Sequence, residues 1–249
     1  MFLGRKQQRN GLFDRLCDEE RKNRKGQNDI NVKTRLDGMW DFQYNDTITQ
    51  KENVRMDLCV YGASSNALDT SFLAAGEELG RKMAARGHGL VFGAGDKGMM
   101  GAVARGVQAG GSRIIGVVPS FFNVDGVLFE HCTETVFTDT MRQRKEIMEQ
   151  RSDGFIMTPG GIGTLDEFFE ILTLRQLGQH PKPLAIYNIN GYFDSLLAFL
   201  QDSVNQKFMG QATLDLFGVF SDADSLLDYL EAAKPAYFEL EELKNISKT

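Results

Sequence analysis

The chain has 249 residues, of which 42% are hydrophobic, 25% charged and 10% aromatic. That composition excludes a collagenous, low-complexity or mostly disordered polypeptide, and the length suffices for one large α/β core. A net charge of −6 argues against bulk nucleic-acid binding, which depends on Lys and Arg neutralising phosphates.

No stretch approaches the roughly 20 apolar residues that span a bilayer, so no membrane partner is expected. The opening Met1-Phe2-Leu3-Gly4-Arg5-Lys6 lacks the apolar run of a secretory signal, which predicts a cytoplasmic protein. Residues 1–57 hold 12 Lys/Arg against 10 Asp/Glu, and the remainder 16 against 24. Residues 1–56 are read as an extension, mobile or packed on the core, with Arg21-Lys22-Asn23-Arg24-Lys25 as its densest basic cluster. Interleaved acids disfavour an RNA-binding arm. Within it, Leu12, Phe13 and Leu16 suit one amphipathic turn, and the alternation Trp40, Phe42, Tyr44 a short strand. Cys17, Cys59 and Cys132 are too widely spaced for a zinc pattern or a disulfide framework, so reduced thiols are expected. His88, His131 and His180 are equally scattered and read as surface or loop residues; neither a metal nor another cofactor is expected.

From residue 57 the pattern changes. Asp57 to Gly62 reads as a buried strand leading into Ala63-Ser64-Ser65-Asn66, then a helix over about 69–86 with Phe72, Leu73, Leu79 and Met83 on one face. Gly87 and Gly89 stop it. Leu90-Val91-Phe92 is the next strand, followed by a glycine loop and a small-residue helix over about 99–109. Further strands are expected at 114–118, 135–137, 154–157 and 184–187. The remaining helices fall at 141–150, up to about 177, near 192–205 and near 222–233, before an acidic tail over 234–249. Short apolar strands alternating with helices imply parallel pairing with both faces covered. The expected fold is therefore a Rossmann-like, doubly wound α/β sheet, one core domain over 57–233. Ligands in such sheets sit beyond the carboxyl ends of the strands, where both glycine loops fall.

The first loop, Gly93-Ala94-Gly95-Asp96-Lys97-Gly98, fits dinucleotide spacing, but Ile114–Val118 runs straight into Pro119 with no acid to hold a ribose. Dinucleotide binding does not follow. The second loop, Thr158-Pro159-Gly160-Gly161-Ile162-Gly163-Thr164, places three glycines ahead of a helix and suits a phosphate nest at Gly160, Gly161, Gly163 and Thr164. No Gly-Lys-Ser/Thr follows, so it is not the loop of a triphosphate hydrolase. Thr164-x-x-Glu167 matches a helix capping box, and spacing alone favours that role. The neighbouring nest favours a carboxylate a ribose length from the phosphate, and the two roles are not fully exclusive. In 141–150 the charges suit a solvated helix with pairs such as Arg142 and Glu146. A face bearing Met141, Arg144, Lys145 and Met148 would also suit a purine stacked on thioether and guanidinium.

Pro159-Gly160-Gly161-Ile162-Gly163-Thr164-Leu165-Asp166-Glu167 resembles the PGGxGTxxE signature of the Lonely Guy (LOG) family, Met141 to Lys145 its M-x-x-R-K motif, and Gly98-Met99-Met100-Gly101 its G-x-M-G turn. The resemblance covers roughly 57–233. Departures lie at Tyr61-Gly62-Ala63-Ser64-Ser65, at Gly93-Ala94-Gly95 and in the long extension. It implies a phosphoribohydrolase that cuts a purine nucleoside 5'-monophosphate, AMP or cytokinin-type, into free base and ribose 5-phosphate. It implies a homodimer as well. Glu167 is then the expected catalytic carboxylate beside the ribose, Arg144 the cation easing departure of the base or orienting Glu167, and Met141, Lys145, Gly95 and Ser64 the base and ribose contacts. Nothing marks a lysine for pyridoxal phosphate. Two other readings stand beside it: a non-catalytic nucleotide or molybdenum-cofactor-type carrier on the same fold, and an interaction protein acting through its basic extension.

Overall fold

In the computed structural model, the described residues are 54–124, 126–234 and 236, all within the unit Gln50–Thr249. The expectations for 1–53, for Cys17 and for most of the tail lie outside them. Among these residues seven parallel strands form one sheet: β1 (Asp57–Tyr61), β2 (Gly89–Phe92), β3 (Ile114–Pro119), β4 (Glu134–Thr138), β5 (Gly154–Met157), β6 (Leu184–Tyr187) and β7 (Phe217–Phe220). Their order is β4-β3-β2-β1-β5-β6-β7. The helices are α1 (Thr70–Ala85), α2 (Gly98–Ala109), α3 (Met141–Gln150), α4 (Ile162–Gln176), α5 (Asp194–Asn205) and α6 (Ala223–Ala232).

Strand alternation builds the two layers. In β1, Leu58 and Val60 join Leu79 and Met83 of α1, Val103 and Val107 of α2 and Leu226 of α6 on one face. Cys59 and Tyr61 join Met148 of α3, Phe168 of α4 and Leu200 of α5 on the other. Register is set by pairs such as Cys59 with Val91 and Cys59 with Phe155. The chain winds outward from β1 through β2, β3 and β4, then returns to lay β5 against the free side of β1. That reversal puts the crevice of the fold at the carboxyl ends of β1 and β5.

The small residues of α2 have a packing reason. A side-chain carbon at Gly80 would stand 2.2 Å from the Val103 carbonyl, and one at Gly106 2.2 Å from the Glu77 carbonyl, so α1 and α2 touch backbone to backbone. Met56 packs in the core, and its N–H donates to His88 Nδ1 at 3.2 Å.

Several expectations change. β7 was not anticipated: it is a four-residue edge strand with Gly218 at its second position, too short and weak to read as alternation. His88 and His180 are in loops but buried, not on the surface. His88 Nε2 meets Glu231 Oε1 at 3.0 Å, and His180 Nε2 meets the Ile171 carbonyl at 2.9 Å. Cys59 is buried and Cys132 half-buried, both as free thiols. Glu146 takes its hydrogen bond from Gln150, at 3.3 Å, instead of pairing with Arg142. Among the described residues no helix is long and apolar enough to cross a membrane.

Candidate active site

The loops after β1 and β5 are tied across the switch point. Thr158 donates to the Tyr61 carbonyl twice, from N–H and from Oγ1, both at 2.8 Å, and Ala63 N–H reaches the Pro159 carbonyl at 3.1 Å. These bonds hold the glycine turn 159–161 at the mouth of the crevice. Tyr192 adds a phenolic hydrogen bond to the Gly160 carbonyl at 2.8 Å.

The turn then enters α4 with Gly161 as N-cap and no side-chain cap. This overturns the capping-box reading of Thr164 and Glu167: Thr164 is already the third helical residue, and Glu167 reaches another helix. Its physical reason is Gly161, whose extended backbone at the N-cap lets the helix begin two residues before Thr164. The N–H groups of Ile162, Gly163 and Thr164 have no intrahelical acceptor by geometry, and no protein partner among the described residues. Together with the helix dipole they form an open anion site. The first glycine loop differs in this respect. At the start of α2 the Gly98 N–H is taken by Asn66 Oδ1 at 3.2 Å and the Met100 N–H by the Ala63 carbonyl at 3.2 Å. Of the two loops, the second is the one with three consecutive amides open.

A capping box does exist, at the start of α3. Thr140 Oγ1 accepts from Gln143 N–H, and Gln143 Oε1 accepts from the Thr140 N–H, each at 3.2 Å. It fixes the direction of α3 so that Arg144, one turn in, points into the crevice instead of into solvent. Arg144 Nε donates to the Val117 carbonyl at 3.2 Å and Nη1 to Glu167 Oε1 at 2.5 Å. Both side chains are about nine-tenths buried. Burial, the largest influence, pushes the Glu167 carboxyl above its ordinary value, while the Arg144 charge and hydrogen bond oppose the shift.

A cavity of about 600 Å³ opens over this pair, a size usual for small-molecule sites. It is lined by Gly62 to Ser65, by Gly93, Gly95, Lys97 and Met100, by Met141 and Arg144, and by Gly161, Gly163, Thr164, Asp166 and Glu167. Of the residues expected from sequence, Ser64, Gly95, Met141, Arg144, Gly161, Gly163, Thr164 and Glu167 line one space. Gly160 lies behind it, packed against the Thr164 side chain, where a β-carbon would be 2.1 Å from Oγ1. Lys145 is also outside the lining; its ammonium bridges to Asp166 at 3.1 Å and to Glu170, clamping α3 to α4. Met148 is core.

Sequence reasoning missed the apolar wall formed by Val118 and Pro119 at the end of β3 and by Phe122, Val127 and Leu128 after it. An available signal was Phe121-Phe122 followed by Val127-Leu128-Phe129 in a loop that otherwise carries Pro, Asn and Gly. It missed Tyr192 too, which lies 32 residues from its partner and had no local signature.

The profile of a family described as "Possible lysine decarboxylase" matches residues 100–230. The chain is 40% identical to the "Probable cytokinin riboside 5'-monophosphate phosphoribohydrolase LOGL9" of Oryza sativa subsp. japonica over 178 residues, 72% of this chain and 78% of that protein. It is 35% identical to the cytokinin riboside 5'-monophosphate phosphoribohydrolase LOG3 of Arabidopsis thaliana, covering 76% and 87% of the two chains. Among solved structures, the molybdenum cofactor binding protein of Rippkaea orientalis matches with a TM-score of 0.54 at 18% identity, covering 71% of this chain and 96% of that one. The molybdenum cofactor carrier protein of Chlamydomonas reinhardtii also matches with a TM-score of 0.54 at 18% identity, covering 72% and 97%. At such identity the likeness concerns the fold alone.

Proposed function

The chain belongs to the Lonely Guy family, and on that footing we propose that it is a phosphoribohydrolase hydrolysing the N-glycosidic bond of a purine nucleoside 5'-monophosphate, AMP or cytokinin-type. The products are the free base and ribose 5-phosphate; water supplies hydroxide to C1′ and a proton to the base. The observation that carries this reading is the buried Arg144–Glu167 pair in the same cavity as the uncapped start of α4.

The chemistry follows from the placement. Breaking the bond builds positive charge on the pentose and negative charge on the base. Amides of Ile162, Gly163 and Thr164 hold the phosphate, a remote group whose binding energy orients the sugar. Glu167, one and a half turns into α4, stabilises the oxocarbenium-like carbon or activates water. Arg144 orients that carboxylate and offsets charge on the departing base electrostatically, since a guanidinium does not release its proton at neutral pH. Met141 and the apolar wall supply a surface for the purine face.

Incubation with AMP, other nucleoside monophosphates and adenosine, followed by chromatography for free base, tests the reading. Release from a monophosphate and not from adenosine supports it. The carrier reading has the shared fold in its favour and nothing more specific. Removing residues 1–53, which keeps the core residue Met56, tests whether the activity belongs to the α/β core or depends on the extension. A homodimer is part of the proposal; the exposed Phe121, Phe122 and Val124 beside the cavity wall favour it, and light scattering measures it. Cell fractionation tests the cytoplasmic location.

A further inference from the structure

Gly93 follows β2, and its φ lies outside the left-handed region, so any L-residue could adopt its backbone. The next residue inverts the usual assignment: Ala94 carries a side chain at φ 59°. A glycine at 93 therefore answers to space and not to backbone geometry. A β-carbon there would stand 2.1 Å from Arg144 Nη2 and 3.2 Å from its Cζ, and the next nearest atom is the flexible Met100 Sδ at 3.4 Å. The remaining edges of the same guanidinium are engaged by the Val117 carbonyl and by Glu167. The arginine tip thus lies in a slot with three walls, one of which is a missing side chain.

We propose that Gly93 is a positioning residue for Arg144: the absence of a side chain at 93 is what lets the guanidinium sit on Glu167 inside the cavity. The proposal rests on the phosphoribohydrolase reading and extends it to a residue that acts through Arg144. The group that must yield to a larger residue is the end of a flexible side chain, so the fold survives the change while the Arg144–Glu167 geometry does not. A displaced guanidinium withdraws the influence that opposes the burial of Glu167.

The test uses the full chain with Gly93→Ala, Arg144→Lys, Arg144→Ala and the two double variants, measuring AMP turnover, its pH profile and thermal unfolding. Gly93→Ala is expected to lower kcat roughly a hundredfold, the scale of a 1 Å misplacement in an active site. KM stays close to that of the starting protein, and the acid limb of the profile moves to higher pH. Added to Arg144→Ala or Arg144→Lys, the same substitution brings little further loss, because the two sites act as one unit. An equal fold-loss in the Arg144→Ala background, or an effect confined to KM, overturns the proposal, since the methyl group would then be obstructing the ligand. So does full activity in Gly93→Ala. If the starting protein releases no base from any monophosphate, the proposed reaction fails, and the slot is still read in unfolding. Gly93→Ala then lowers Tm in the starting protein and not in Arg144→Ala, whereas an equal shift in both contradicts the slot.

Discussion

Arg144 Nη1 and Glu167 Oε1 meet at 2.5 Å from two different helices, 23 residues apart in sequence and both buried. Removing one partner of such a pair costs about 3–5 kcal/mol because the other charge is left uncompensated. Investment of that kind beside an open anion site points to use and not to stability.

Glu167→Gln keeps the shape and the acceptor oxygen and removes the charge. Turnover of a nucleoside monophosphate should fall by about two to four decades, the span of a key electrostatic or acid–base group. AMP binding, measured by calorimetry, should survive. Unchanged turnover would leave Glu167 as a helix–helix tie.

The pH dependence follows from the direction of the Glu167 shift. Burial raises the carboxyl from 4.5 and Arg144 opposes it. Activity requiring the carboxylate therefore falls, as pH drops, through a midpoint above 4.5. Arg144→Ala moves that acid limb higher still. For stability the sign is the one for a raised carboxyl: the contribution is full below the unfolded pKa and lost as pH rises through the folded one. Unfolding of Arg144→Ala should therefore show Tm rising, relative to the starting protein, as pH is lowered from neutrality toward the unfolded value.

Gly163 separates stability from binding. It is the second residue of α4, exposed, with nothing within 4 Å of where a β-carbon would lie. Gly163→Ala should stabilise the helix by about 0.5–1 kcal/mol. The new methyl points back toward the helix start, over the open amides. Loss of one charge-assisted hydrogen bond, about 1.5–3 kcal/mol, raises KM for AMP about ten- to a hundredfold. Denaturation and kinetics on one preparation check both signs.

Ala94 at φ 59° is buried against Gly116, whose missing side chain leaves it room. Ala94→Gly relieves about 1–2 kcal/mol of left-handed strain. It gives up about 0.8 kcal/mol of methyl burial and about 0.4–1 kcal/mol of chain restriction in the unfolded state. The net change in a urea melt should lie within about 1 kcal/mol of zero. Ala94→Val, β-branched at the same angle, should destabilise strongly.

The sheet was legible because five of its strands are short apolar runs, a sixth, β4, carries Val136-Phe137 between threonines, and their helices have clean starts and stops; β7, interrupted by Gly218, was not. At the site, Glu167, Thr164 and the glycine turn could be read because the motif is contiguous. What Arg144 touches could not, since Val117, Gly93 and Glu167 come from three other segments. The capping box was assigned to the wrong helix for the same reason: Thr140 and Gln143 carry it as plainly as Thr164 and Glu167, and only the backbone entering each helix decides between them. Lys145 looked like a ligand contact by its spacing from Met141, but acids on α4 claim its ammonium first.

A crystal structure of the Glu167→Gln protein with AMP bound is the most direct measurement. The account predicts phosphate oxygens on the amides of Ile162, Gly163 and Thr164, with C1′ of the ribose against the carboxamide of residue 167. A nucleotide bound with its phosphate elsewhere, or with its sugar remote from residue 167, would contradict it.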